Sequence, residues 1–272
     1  MENNSSGVQG VLTKGLGILR LLSDAGPQGL RVTDIAKQLE LSQATVHRLL
    51  QTLITEGFVQ QRQNSKSYAL TLELFSLVAR SHHQTSSLRA ICRSSILNIV
   101  GTLQDSAFVL LRDRYDVVCV DKMEGSYITQ SLTGGIGGRI PIGLGQGSIA
   151  ILAALPESEQ NAILAFNVPR FYQEDGIDEP HLRARIKQAQ QDGYVLNTGP
   201  GKLTGIGGIA VAFTDTTGYP VGAIGLSVLT DRLTQERLPF IVDILKREAA
   251  QISASLNPFD PALGSPHMAL SN

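Results

Sequence analysis

The sequence is poor in the residues from which metal and disulfide sites are built. It has 2 cysteines and 5 histidines in 272 residues. Cys92 and Cys119 are too few and too far apart for a disulfide framework or a Cys-x-x-Cys site, so a reducing cytoplasm is the expected setting. His47, His82, His83, His181 and His267 show no ligand spacing with cysteine or carboxylates, and the adjacent His82-His83 would point to different sides of a helix. No metal and no cofactor are expected. No apolar run is long enough to span a membrane, and the polar start Met1-Glu2-Asn3-Asn4-Ser5-Ser6 is unlike a signal peptide. There is no Gly-x-Ser-x-Gly elbow, and no Cys/His or paired-carboxylate arrangement rises above chance. An enzyme would have to recruit scattered residues such as Ser148, Ser227 and Asp215, and Ser148 reads better in the first turn of a helix. No catalytic residue is expected.

What is present begins with an uneven charge. The chain carries a net charge of −1, but residues 1–93 hold ten Lys/Arg against six Asp/Glu, a surplus of +4 that leaves −5 for the rest. At this length there is room for two domains, each with its own core. A modest basic head on an acidic body suits a partner with a phosphate backbone.

Residues 33–57 give that head its form. Thr33 is the expected N-cap of a short helix that carries Ile35, Ala36 and Leu39 on one face. A turn through Glu40 and Leu41 follows, and Ser42 caps a second helix whose buried stripe is Val46, Leu49, Leu50 and Leu53. Gln43, Ala44, Thr45, His47, Arg48 and Gln51 remain on or beside the outer face. A helix-turn-helix reads bases with such a face in the major groove, amides pairing with adenine and arginine with guanine, while hydroxyls mostly position phosphates. The bland alternative is a helical hairpin with a merely solvated face; the short turn, the cap and the polar outer face together favour DNA.

Ahead of the motif, Leu12, Leu16, Ile18, Leu19 and Leu22 mark an amphipathic helix that ends at Asp24-Ala25-Gly26-Pro27. After it, residues 58–62 and 67–70 alternate as two strands around the turn Gln63-Asn64-Ser65-Lys66. Arg62 and Lys66 stand at the tip of this wing. The expected contacts to double-stranded DNA are therefore Arg31, Ser42, Gln43, Ala44, Thr45, His47, Arg48, Gln51, Arg62 and Lys66.

A long helix is expected over residues 72–100, with a polar middle (residues 81–87) that would interrupt it, and it serves as a linker. Beyond it the pattern predicts a hairpin of strands 107–111 and 116–120, a third strand from Tyr127 to Leu132, and helices at 146–155, 157–166 and 179–192. Asp178 caps the last of these, with Pro180 in its first turn. Strands at 209–213 and 221–227 and a helix over 234–256 complete an α+β domain on a mostly antiparallel sheet. The implied division is a winged head over 8–72, a linker helix over 73–90, a body over 91–258 and a disordered tail over 259–272. Two glycine-rich stretches, 134–147 and 199–208, lack the Gly-Lys-Ser/Thr and Gly-x-Gly-x-x-Gly patterns of nucleotide loops. They are either tight turns with no ligand or walls of backbone N–H groups, with Gly145-Gln146-Gly147 at a helix start that would favour an anion.

Taken together, the chain resembles the IclR family of bacterial transcriptional regulators. The residues that carry the likeness are Val11 to Leu19 before the first turn, Leu41 to Leu49 in the recognition helix and Glu56-Gly57-Phe58-Val59 entering the wing. In the second half they are Val120-Asp121-Lys122, Gly138-Arg139-Ile140-Pro141 and Gly193-Tyr194. The resemblance implies a winged helix-turn-helix, a linker helix and a GAF-like effector-binding domain, working as a homodimer or a dimer of dimers. It also implies a repressor or activator that controls catabolic genes in response to a small organic acid. The family's effector positions fall on Thr129, Leu132, Gly145, Gln146, Gly208, Gly225 and Ser227, and the segment between Pro141 and Gly147 is one residue shorter than the family pattern. Some relatives have cysteine where Gly208 falls and serine where Gly225 falls. Their loss is expected to widen the cavity and to suit a bulkier ligand, such as an aromatic acid. The competing readings are the enzyme already weighed and an architectural DNA binder, which an acidic body of this size fits poorly.

Overall fold

The computed structural model describes residues 10–62, 65–80, 84–129, 132–175, 177–198 and 204–256. They belong to two compact units, residues 1–82 and 83–272.

The first unit opens with α1 (Val11–Asp24), which buries Ile18 and Leu22. A 3-10 turn at Gly26–Gln28 leads into α2 (Val32–Gln38) and α3 (Gln43–Thr55). The cap of α2 is Arg31, not Thr33. Asp34 explains the earlier start: its carboxylate accepts the Arg31 backbone N–H at 3.3 Å and satisfies a donor at the helix entry. Ser42 caps α3 as expected, its Oγ accepting the N–H of Thr45 at 3.2 Å. Glu40 turns the chain between these helices in the left-handed region, at φ 54°. Ile35, Val46 and Leu50 close the core, with Leu41 and Leu53 packed against it. β1 (Val59–Gln61) and β2 (Tyr68–Leu70) pair antiparallel, Val59 opposite Leu70. Residues 63 and 64 of the expected turn lie outside the described residues. α4 (Glu73–Arg80) ends the unit.

The expected long helix is two in the described residues, α4 and α5 (Gln84–Leu103), with residues 81–83 between them outside the description. Residues 84–87, read as part of the breaking segment, are the start of α5.

The second unit is built on a six-stranded antiparallel sheet in the order β5-β4-β3-β8-β7-β6. Its strands are β3 (Ser106–Asp113), β4 (Asp116–Met123), β5 (Arg139–Pro141), β6 (Val195–Asn197), β7 (Ile206–Thr214) and β8 (Pro220–Leu229). One face carries α5 and α9 (Leu238–Ser255), which enclose Ile96, Val109, Ile209, Ile224 and Ile244. The other face carries α6 (Gly145–Ala154), α7 (Glu157–Asp175) and α8 (Glu179–Asp192), around Phe108, Ile149, Ile163 and Ala223. With both faces covered, β8 is buried from Pro220 to Val228, which is why it reads as a continuous apolar run rather than an alternation.

Several expectations change here. The described residues of the expected strand Tyr127 to Leu132 form no strand: Tyr127 makes a single parallel bridge to Asp105, and residues 130 and 131 lie outside the description. The edge strand beside β4 is β5, which pairs Asp116 with Pro141. β6 is too short to show a period, and α7 continues through Pro169, nine residues past the expected end. α9 begins at Leu238 instead of 234, with Pro239 in its first turn. Asp178 caps α8 as expected, accepting the N–H of His181 at 2.9 Å. The expected tail, 259–272, lies outside the described residues, as does 199–203 of the second glycine stretch.

Candidate functional site

On the head, helical geometry sorts the α3 side chains into two classes. Val46, Leu49 and Leu50 are buried, whereas Ser42, Gln43, Ala44, His47, Arg48 and Gln51 are exposed and Thr45 is half-buried. Positions 43, 44, 47, 48 and 51 follow a three-to-four residue spacing and so form one stripe. Beside it, Ser42 and Thr45 are already engaged with each other, their hydroxyls 2.8 Å apart. Arg31 at the start of α2 is exposed, as are Arg62 and Lys66 beside the wing turn, and Lys66 has φ 52°. Arg31, Arg48, Arg62 and Lys66 make no ion pair with a described residue. Four cations are thus left to solvent around the recognition stripe and the wing, an arrangement that suits a polyanion.

On the body, the seven positions expected to meet an effector converge through contacts that no linear reading shows. Gly208 on β7 lies opposite Ser227 on β8, and Ser227 lies opposite Ser106 on β3, so the three share one sheet face. Gln146, in the first turn of α6, reaches down onto that face, and its Nε2 donates to Leu226 O at 3.1 Å. Thr129 Oγ1 donates to Ser227 O at 3.3 Å and is itself buried. Gly145 has φ 74°, which favours glycine, and a side chain there would lie 2.9 Å from Leu132 Cδ1. Leu132 is 36 % exposed at the rim. Gly225 is one β8 position further along that face, against Phe108 and Ala210.

The expected widening at Gly208 and Gly225 does not occur. A Cβ on Gly208 would overlap the Gln146 carboxamide and lie 2.5 Å from Leu226 O. A Cβ on Gly225 would lie 2.7 Å from Ile209 O and 2.8 Å from Phe108 Cζ. The absent side chains leave no void: helix and neighbouring strands close in. Ser106, buried and directly beside Ser227, is the neighbour that sequence reading missed; only strand register links the two. A separate cavity of about 340 Å³ lies along Ala150, Ala153, Ala189, Tyr194, Val211 and Thr214, and none of the seven positions lines it.

The charges of the body are mostly paired. Asp121, fully buried, accepts from Arg93 at 3.2 Å and Arg89 at 3.4 Å, both on α5. Asp105, also fully buried, accepts from Arg232 at 2.8 Å and Arg237 at 2.5 Å. Arg112 has no exposed side-chain surface and pairs with Glu159 at 2.7 Å. Burial, and then the neighbouring Asp121 charge, push the Cys92 thiol up to about 12, and burial raises Cys119 as well. Both are free and buried, which suits packing rather than thiolate chemistry. Among the described residues no His/Cys/Asp/Glu group has the geometry to hold a metal ion, and no helix is long and apolar enough to cross a membrane.

Comparison with known proteins follows the same division of the chain. The IclR helix-turn-helix domain matches residues 11–63, and the bacterial transcriptional regulator IclR C-terminal domain matches residues 83–254. The Escherichia coli transcriptional repressor IclR is 26 % identical over 230 residues, covering 84 % of this chain and 82 % of the repressor. The E. coli repressor AllR is 26 % identical over 246 residues, covering 90 % and 89 %. Among solved structures, an IclR-type regulator from Alicyclobacillus acidocaldarius has a TM-score of 0.73 at 22 % identity, covering 90 % of this chain and 97 % of its own. An IclR homologue from Microbacterium hydrocarbonoxydans, in complex with 4-hydroxybenzoate, has a TM-score of 0.73 at 18 % identity, covering 90 % and 98 %.

Proposed function

The chain belongs to the IclR family of bacterial transcriptional regulators, and on that premise we propose that it is a cytoplasmic, dimeric regulator whose hold on operator DNA answers to a small organic acid. The observation that carries the DNA half is the exposed polar stripe of α3 flanked by unpaired cations. Gln43, His47, Arg48 and Gln51 read base edges, while Arg31, Ser42, Ala44 and Thr45 at the helix starts and Arg62 and Lys66 at the wing hold the backbone. One head covers too few base pairs to find an operator alone, so the target is a roughly palindromic site read by two copies. Exposed Leu12 and Leu16 on α1, and Leu72, Phe75 and Leu77 in and beside α4, offer apolar surface for that pairing. Leu74, on the same helix, is half-buried.

The effector half rests on the convergence of Thr129, Leu132, Gly145, Gln146, Gly208, Gly225 and Ser227 at the start of α6. First-turn N–H groups there have no capping side chain, and a helix start of this kind favours a carboxylate. An aromatic acid is the first class to test, because the Microbacterium protein of the same fold is in complex with 4-hydroxybenzoate. The test is electrophoretic mobility of DNA from the region upstream of the chain's own gene and its neighbours, titrated with benzoate and 4-hydroxybenzoate. A shifted band whose midpoint moves with acid supports the reading. Binding to that DNA that no acid alters removes the effector half, and failure to bind any neighbouring DNA removes the operator half. An effector acts only through its unequal affinity for DNA-competent and DNA-incompetent states, about 1.4 kcal/mol for each tenfold change in operator occupancy.

A further inference from the structure

Two polar groups at the effector site are buried and unspent. Gln146 is 8 % exposed and so is Ser227. Gln146 uses its amide nitrogen on Leu226 O, which as a carbonyl only accepts, so the NH₂ must face it and Oε1 must face away. Oε1 then has no donor among the described residues, and the Ser227 hydroxyl likewise has no partner. Neither atom is among those sealed from solvent without a partner, which among the described residues are Ser95 Oγ and Arg112 Nη2. Both therefore open onto accessible space. They also lie side by side: Gly208, on which the Gln146 carboxamide rests, is the cross-strand partner of Ser227.

Two polar atoms on largely buried side chains that open onto accessible space without a protein partner are free to take a ligand's hydrogen bonds. Here the pair is complementary in kind. The Gln146 oxygen accepts only, whereas the serine hydroxyl donates as well as accepts. Gly208 is what allows the arrangement, since any side chain there would displace the carboxamide. The amide arriving from the helix takes the place of a polar side chain on the strand.

We propose that Gln146 is the residue that sets ligand class, and that it selects a hydroxylated organic acid. The ligand's hydroxyl donates to Gln146 Oε1, its carboxylate accepts from the Ser227 hydroxyl, and the Leu226 carbonyl holds the amide in the only orientation that presents the oxygen. This rests on the effector reading above and narrows it from organic acids in general to those with a hydroxyl donor.

The test uses matched pairs of acids that differ by one hydroxyl, benzoate with 4-hydroxybenzoate and propionate with lactate. Each is titrated by calorimetry into the full-length protein and into Gln146→Met, which keeps length and loses the amide. One hydrogen bond from an otherwise unpaired group corresponds to about fivefold or more in affinity. The expected result is that one hydroxylated member binds wild type at least fivefold tighter than its partner and that Gln146→Met abolishes the difference. Gln146→Leu replaces it if circular dichroism shows the methionine variant unfolded. Equal affinity for both members of each pair overturns the assignment of Gln146 and leaves the organic-acid reading standing. A preference that survives in the folded variant overturns it too, and places the hydroxyl elsewhere. Absence of binding by all four acids overturns this proposal together with the acid class.

Discussion

The head and the body use arginine in opposite ways. In the body, Arg89 and Arg93 close on Asp121, Arg232 and Arg237 on Asp105, and Arg112 on Glu159, the first two acceptors with no exposed side-chain surface. In the head, Arg31, Arg48 and Arg62 are exposed and in no ion pair with a described residue. Net charge alone would rank the head as only modestly basic. What separates the two units is how many cations are already neutralised: paired ones hold elements together, and unpaired ones remain available to phosphate. Mutation should therefore act on stability in one unit and on DNA in the other.

The sharpest way to break that contrast is at Arg112. Its guanidinium is enclosed between Glu159 and the Tyr219 hydroxyl, 2.5 Å away. Glu159→Ala strands a buried cation, and such a loss costs about 3–5 kcal/mol. Urea unfolding of the full-length variant should show the body destabilised by that amount. A change below about 1 kcal/mol would mean that the pair behaves like a surface salt bridge and that the contrast is false.

Arg48→Ala should do the reverse. No change in urea midpoint is expected, because the exposed side chain has no hydrogen bond or ion pair with a described residue, but operator affinity should fall by about 1–3 kcal/mol if the guanidinium reads a base. Fluorescence anisotropy at two salt concentrations separates the possible roles. A loss confined to the operator marks a base contact. A loss shared by all sequences, with a flatter salt dependence, marks a phosphate contact. Unchanged operator binding takes Arg48 out of the interface.

The two units also differ in how much of them could be read in advance. The head was legible almost residue by residue because its signals are local: a cap, a 3.6-residue period, a turn residue. Among the described residues the differences are small: the wing strands are shorter than expected, and α2 starts where Asp34 caps backward onto Arg31 instead of Thr33 capping forward. In the body the buried strands were found from their apolar runs, but β5 and β6, with three residues each, have no period to detect. The effector positions came from family likeness, and their chemistry was misjudged. Glycine at 208 and 225 suggested empty space, whereas long-range approach fills it, with Gln146 across from Gly208 and Phe108 beneath Gly225. Such contacts join residues tens of positions apart and leave no mark on spacing.

The smallest expected effect falls on a head residue that belongs to both sides of the comparison. Ser42 is exposed beside the reading stripe, yet its hydroxyl accepts the Thr45 N–H and so holds the start of α3. Ser42→Ala removes the cap and should destabilise the head by about 1 kcal/mol, within the usual range for such losses. Its effect on DNA would then be ambiguous, since a frayed recognition helix also binds poorly. Ser42→Asp resolves this. Aspartate caps as well as serine and places a negative charge at the positive end of the helix, so thermal stability should match or exceed wild type. The same charge faces the phosphates if α3 enters the groove by its first turn, and operator affinity should fall although the fold is intact. Stability retained with DNA binding lost puts Ser42 in the interface. Stability and binding both retained would make it a cap alone, and the face turned to DNA would then begin further along the helix, at His47 and Arg48.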